Sequence, residues 1–295
     1  MGFSVLAVVL AAWLGLNVIA AAVTWAWHRV WARGVMWDED GLMPSARPYS
    51  VGEGEAAFLL VHGFNDVPFV WKRMADRIAA AGFACRAIRL PGAGERFGRA
   101  SLDRMRQAIR DEVQALRERH KTVILVGHSM GGALSLDFLL DGGEGIAGLV
   151  LLAPLIEISR VRSPLLSPRA YYRLLRACLP FLHWVPSIFR EYLTAEDDSS
   201  FSYRRDRFVE VGWYPILFKL VDRLRVADKC RLCVPILAYA AGNDRVVDTD
   251  ATCRWFADMP CELQVVEGAA HPLQLGKGWE LMADRMVQLG KRNML

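Results

Sequence analysis

The sequence predicts an α/β fold: a mostly parallel central sheet with helices on both faces, a helical insertion over it, and an apolar helix at the N-terminus. Three observations lead there. Short apolar runs of β type recur at 57–61, 84–90, 122–126, 148–153, 234–240 and 262–266. Helical patterns lie between several of them, near 69–81, 103–119, 130–141, 249–258 and 278–290; short apolar strands alternating with helices imply a parallel sheet covered on both sides. The third observation is a break in this alternation. Residues 155–225 contain no clear sheet strand but several prolines and aromatics, and such a stretch is too long for a simple connection. It reads as a mostly helical insertion.

The 295 residues, 53% hydrophobic and 23% charged, suffice for one large domain with a buried core or two small ones. A net charge of +4 without a polybasic tract lacks the pattern of nucleic-acid binding. No repeat or low-complexity segment occurs. The chain divides into an N-terminal anchor at 1–33, a polar Gly- and Pro-containing linker at 34–55, a core at 56–154 and 226–295, and the insertion at 155–225.

The anchor reading comes from 3–27, which holds no charged residue. As a helix this run reaches across a hydrocarbon layer of about 30 Å. Trp25, Trp27 and Trp31 cluster at its end with His28, Arg29 and Arg33, an interfacial aromatic and basic belt. A cleaved signal peptide is the rival, but it carries a basic leading region and a shorter apolar core. The basic C-terminal flank places the main domain on the cytoplasmic side. The opening MGFSVL lacks the Ser or Thr of a myristoylation signal. The six cysteines show no disulfide spacing. Cys230 and Cys233 form a C-x-x-C without a second ligand pair at zinc spacing, so they read as ordinary thiols.

The chemistry centres on Gly127-His128-Ser129-Met130-Gly131, a G-x-S-x-G between the apolar run 122–126 and a helical pattern. A sharp strand-to-helix turn needs small residues two before and two after the serine, and it exposes the hydroxyl. A hydroxyl is a poor nucleophile near neutral pH, so it needs a base and a carboxylate to orient that base. In the chain order Ser, Asp, His, Asp244 follows the run 234–240 and His271 follows the run 262–266. Asp248 and Asp250 compete, but DTD reads as the cap and first turn of the next helix. Two N–H donors are needed for a developing oxyanion. The backbone of Met130 supplies one at a helix N-terminus. The backbone of Phe64 supplies the other, in LLVHGF after the first core strand, where Gly63 allows close approach and His62 braces the loop.

On these motifs, with LPGAGE, GNDRVV and GAAHP, the chain resembles the α/β-hydrolase superfamily over about residues 56–290. Within it the likeness is to the monoacylglycerol lipase, lysophospholipase and carboxylesterase branch. The resemblance implies Ser129 as nucleophile, His271 as base, Asp244 as orienting acid, and the N–H groups of Phe64 and Met130 as oxyanion donors. It implies acyl transfer without a metal or organic cofactor, and a cap at 155–225 that shapes the acyl pocket. Ala93 stands in PGAGE where many relatives have histidine, which bears on the subfamily and leaves the triad intact.

The insertion also carries a basic, aromatic pattern. Arg160, Arg162, Arg169, Arg173, Arg176 and Arg190 are interleaved with apolar residues, and no acidic residue lies between Glu157 and Glu191. This fits an amphipathic cap on an anionic bilayer as well as a solvated helix face. The expected substrate is a small-molecule acyl ester or lipid, with the bilayer as partner and no nucleic acid. An acyltransferase or thioesterase with the same triad, or a peptidase of this fold, is the alternative enzyme reading. A serine at position 129 disfavours epoxide hydrolases and dehalogenases, which use aspartate there. A non-catalytic membrane-anchored scaffold ranks last, because every triad member is present.

Overall fold

The computed structural model describes residues 2–294, with side chains from Val5 onward; Met1 and Leu295, the outermost positions of the anchor and core ranges, lie outside the described residues. The strands are β1 (Tyr49–Val51), β2 (Ala56–Val61), β3 (Ala84–Ile88), β4 (Thr122–His128), β5 (Gly148–Leu152), β6 (Trp184–Pro186), β7 (Tyr192–Thr194), β8 (Ser202–Arg204), β9 (Phe208–Glu210), β10 (Ile236–Ala241) and β11 (Glu262–Val266). The helices are α1 (Gly2–Arg33), α2 (Lys72–Ala80), α3 (Leu102–Arg117), α4 (Met130–Leu140), α5 (Pro168–Cys178), α6 (Trp213–Arg225), α7 (Thr249–Phe256) and α8 (Trp279–Arg292).

Seven strands form the main sheet in the order β1-β3-β2-β4-β5-β10-β11. All neighbours are parallel except β1, which lies antiparallel on β3. In β2, Ala57, Leu59 and Val61 point into one apolar layer with α3, α4, α6 and α7, and Ala56, Phe58 and Leu60 point into the other with α2 and α8. Both faces of a central strand are therefore dry, which is why its sequence is apolar throughout rather than alternating. At the edge, β11 exposes Glu262, which pairs with Arg285 at 2.5 Å.

Three segments differ from their sequence reading. The linker 34–55 is partly structural: Tyr49–Val51 is the edge strand, and Val35, Met43 and Ala46 are buried. The insertion contains two helices, α5 and α6, and also two antiparallel pairs, β6 with β9 and β7 with β8. Three-residue strands are too short for a period to register in the sequence. Finally, α1 is not a free rod. It is apolar and long enough to cross a membrane, and Val5–Ala12 is exposed. From Trp13 onward, however, a stripe through Asn17, Ala20, Ala21, Thr24, His28, Trp31 and Ala32 is covered, at the spacing of one helix face. Asn17 Nδ2 donates to Cys178 O at 3.0 Å, the His28 ring stacks on Trp184 at 4.3 Å, and Trp31 Nε1 donates to Glu191 at 2.8 Å. The second half of α1 is thus packed against the insertion.

One buried charge ties the helical layer behind the sheet together. Asp137 on α4 is 1% exposed and pairs with Arg106 of α3 at 2.8 Å and with Arg223 of α6. Asp137→Ala leaves these guanidinium groups without their buried partner and is expected to lower unfolding stability by about 3 kcal/mol, read as the shift in a urea midpoint.

Candidate active site

Ser129 joins β4 to α4 at φ 53° and ψ −117°. Its N–H donates to Leu152 O, and its carbonyl accepts from the N–H groups of Ala133 and Leu155, each at 3.0 Å. The turn closes only because its neighbours are small. A Cβ on Gly127 would lie 2.5 Å from Gly131 O, and one on Gly131 would lie 2.3 Å from Val61 O.

The loops after β10 and β11 open at the same sheet edge as this turn, because the strands are parallel. Asp244 lies in the first and His271 in the second. His271 Nδ1 is 2.7 Å from Asp244 Oδ2, and its Nε2 is 2.9 Å from Ser129 Oγ. The carboxylate accepts at Nδ1, so that nitrogen carries the proton and Nε2 is left to accept from the serine hydroxyl. Asp244 Oδ1 also accepts from the N–H groups of Val246 and Val247 at 2.8 and 2.9 Å. Burial alone would raise this carboxyl; the His271 contact and the two backbone donors outweigh it and hold the group below the usual carboxylate range. Asp248 caps α7, accepting from Ala251 N at 2.8 Å, and Asp250 lies in that helix's first turn. The competing carboxylates are thus helix-terminal.

The loop after β2 approaches from the other side. His62 Nδ1 donates to Gly63 O at 2.9 Å, and its Nε2 accepts from Leu90 N at 3.0 Å. A Cβ on Gly63 would come within 3.1 Å of Ser129 Cβ, so this loop packs directly on the serine. Among the described residues, the N–H groups of Phe64 and Met130 have no protein acceptor; for Met130 this follows from its place at the first turn of α4. His128 Nε2 donates to His271 O at 3.1 Å and so tethers the loop that carries the imidazole.

The sequence profile described as serine aminopeptidase, S33 matches residues 52–276. The chain belongs to this family. As an S33 hydrolase it is an enzyme with the α/β-hydrolase fold, of the lipase and esterase kind. It is 26% identical to phospholipase YtpA of Bacillus subtilis (strain 168) over 212 residues, 68% of this chain and 80% of that one. It is 28% identical to a thermostable monoacylglycerol lipase of Bacillus sp. (strain H-257) over 123 residues, which span 41% of this chain and 49% of the relative. In fold it is similar to the monoacylglycerol lipase of Paleococcus ferrophilus, with TM-score 0.67, 18% identity and coverage of 84% of this chain and 98% of that one. It is similar also to a soluble variant of the monoglyceride lipase of Saccharomyces cerevisiae, with TM-score 0.68, 16% identity and coverage of 83% and 91%.

Around the serine this S33 hydrolase forms a cavity of ≈ 230 Å³ whose walls include Phe64, Phe189, Leu193 and Pro272. Sequence reasoning missed several of its polar members. Asp66, two residues past Phe64, is 3% exposed and accepts from Tyr203 Oη at 2.7 Å and Val67 N at 2.9 Å; burial pushes its carboxyl up. Arg205 and Arg245 also line the cavity. A lone Asp after HGF and an arginine in the insertion carry no spacing signal, so only the three-dimensional fold assembles them.

The two histidines flanking the site are buried and neutral. Burial pushes His62 down to about 4 and His128 down to about 3, and protonating His62 would set a ring N–H against Leu90 N–H. An imidazole with a lowered folded value contributes its stability fully above the unfolded value of ~6.5 and loses it as pH falls through the folded value. The melting temperature is therefore expected to be highest above pH 7 and to fall between pH 6.5 and about 4. In His62→Gln the fall over that window is expected to be shallower, with the contribution of His128 remaining.

Proposed function

We propose that this protein is a membrane-anchored serine hydrolase that cleaves carboxylic esters of lipids or acyl compounds through Ser129, His271 and Asp244. One observation carries the reading: an imidazole bridges Ser129 Oγ at 2.9 Å and Asp244 Oδ2 at 2.7 Å, and because a carboxylate only accepts, the neutral ring's proton belongs on the Asp244 side. Ser129 Oγ attacks the ester carbonyl while His271 Nε2 takes its proton, and Asp244 stabilises the imidazolium that forms. The N–H groups of Phe64 and Met130 receive the developing oxyanion, where the α4 dipole also favours negative charge. Collapse breaks the ester C–O bond, and the alcohol leaves with the proton from His271. Water, activated by the same imidazole, then releases the acid and restores Ser129. An acyltransferase or thioesterase outcome uses the same acyl-enzyme with a different acceptor or donor.

The cavity favours esters over peptides with a free amino terminus. Asp66 is the carboxylate on its lining, and it is already engaged by Tyr203 and Val67. Among the described residues of the lining, this one carboxylate, with Oδ1 occupied, faces three arginines, so the space carries excess positive charge and disfavours an α-ammonium.

The placement of α1 supports the membrane part of the reading. Cys178, at the end of α5, meets Asn17, half-way along α1, so inserting α1 draws the insertion towards the headgroups. Around it Leu165, Leu166, Tyr171, Leu174 and Phe181 are exposed, interleaved with exposed Arg160, Arg173 and Arg190. Apolar side chains among arginines match an anionic lipid surface. Two arginines of the sequence pattern serve the fold instead: Arg169 pairs with Asp222 at 2.7 Å, and Arg176 donates to Leu182 O at 2.9 Å. Lipid esters then reach Ser129 from the bilayer beneath this cap, with the domain on the cytoplasmic side.

Three experiments test this. Ser129→Ala is expected to abolish labelling by a fluorophosphonate probe that marks the wild type. In ester hydrolysis, Ser129→Ala or His271→Ala should lower kcat by roughly 10⁵- to 10⁶-fold and Asp244→Ala by about 10⁴-fold. Replacing Arg160, Arg173 and Arg190 together by glutamine is expected to reduce turnover of long-chain esters in anionic micelles and to spare short soluble esters. Equal rates on both would remove the bilayer part of the proposal.

A further inference from the structure

The catalytic cavity holds more positive charge than ester cleavage requires. Arg162, Arg205 and Arg245 line it together with Ser129 and His271. Arg205 is the most constrained, at 7% exposed. Its Nε donates to Arg190 O at 2.8 Å, and its guanidinium lies 5.3 Å from the centre of the Phe189 ring. The Arg162 guanidinium lies 5.4 Å from the same ring. Phe189 thus gathers two guanidinium groups at the cavity wall. Arg245 follows directly on Asp244 in the turn after β10.

Among the described residues, none of these three arginines has a carboxylate within ion-pair distance, and the terminal nitrogens of Arg205 have no protein acceptor. Asp66 is near enough to feel the charge of Arg205, but its Oδ1 is taken by Tyr203 and Val67, and its Oδ2 stands outside ion-pair distance of the guanidinium. Asp244 is committed to His271 and to two backbone donors. A nearly buried guanidinium with open donors is costly unless something else accepts from it. Its planar fork fits two oxygens of one phosphate or carboxylate.

Resting on the ester-hydrolase reading, we propose that Arg205, with Arg162 and Arg245, forms an anion subsite beside Ser129, so that the preferred substrate is an ester carrying a phosphate or carboxylate group near the scissile carbonyl. The same arginines steer such a substrate into a cavity that a neutral ester enters without help.

The test uses the full-length protein in neutral detergent and three esters with one acyl chain: a monoacylglycerol, the same monoacylglycerol 3-phosphate, and the corresponding ester of glyceric acid. The wild type is expected to show a kcat/KM at least about tenfold higher for an anionic ester than for the neutral one, the scale of one charge-assisted contact. Preference for the phosphate arm or the carboxylate arm identifies the group. Arg205→Met should bring the anionic-to-neutral ratio to near one, and Arg162→Gln should lower it. Because Arg162 is exposed, its variant carries the test even if Arg205→Met fails to fold. A wild type that cleaves the neutral ester as well as the anionic ones, or ratios unchanged in Arg162→Gln and a folded Arg205→Met, would overturn the subsite while leaving the hydrolase reading intact. No cleavage of any ester together with no fluorophosphonate labelling of Ser129 would overturn both.

Discussion

The backbone at Ser129 is held in a conformation that an L-residue rarely adopts. A φ of 53° costs of order 1–3 kcal/mol and persists because the surroundings leave no alternative. The residue is clamped by Leu152, Ala133 and Leu155 through main-chain hydrogen bonds, while Gly127 and Gly131 let β4, α4 and the end of β2 approach to near contact. Because β4 lies between β2 and β5, the strained turn is embedded in the sheet and backed by both apolar layers. Phe64, Asp244 and His271 are delivered to this fixed point by loops leaving the same edge of the sheet.

Three histidines meet around the turn, and hydrogen bonding separates their roles. His62 has both ring nitrogens satisfied in one neutral tautomer, which locks the loop bearing Phe64. His128 spends its one donor on the carbonyl of His271. His271 alone faces a carboxylate on one side and a hydroxyl on the other. The proposed base is therefore distinguished by its partners. Its two neighbours hold the frame within which it moves a proton.

The N-terminal helix and the cavity beside Ser129 are joined through the insertion. Glu191 accepts from Trp31 of α1 at 2.8 Å and from Arg204 Nε at 2.6 Å. Arg205, the next residue, donates to Arg190 O and reaches the cavity beside Ser129. The N-terminal helix, the β7–β8 ribbon and the cavity wall are thus connected through consecutive residues. In the proposed function, the element that sits in the lipid also shapes the pocket that receives it.

The sequence by itself determined most of the sheet, because its inner strands are short and dry on both faces and their composition records that burial directly. All six apolar runs became strands of the main sheet, and the chain order of Ser129, Asp244 and His271 already matched loops at one sheet edge, since parallel strands send alternate connections to the same side. Local chemistry also told Asp248 apart as a helix cap. Only the tertiary structure decided the rest. The edge strand Tyr49–Val51 and the ribbons of the insertion are three residues long and leave no periodic trace. The covered stripe of α1 holds Asn17 and His28 in an apolar run, and only their partners Cys178 and Trp184 in the insertion show that protein faces it. Asp66, Tyr203 and Arg205 share a site through contacts between residues up to 137 positions apart, and such convergence is a property of folded space that no spacing along the chain encodes.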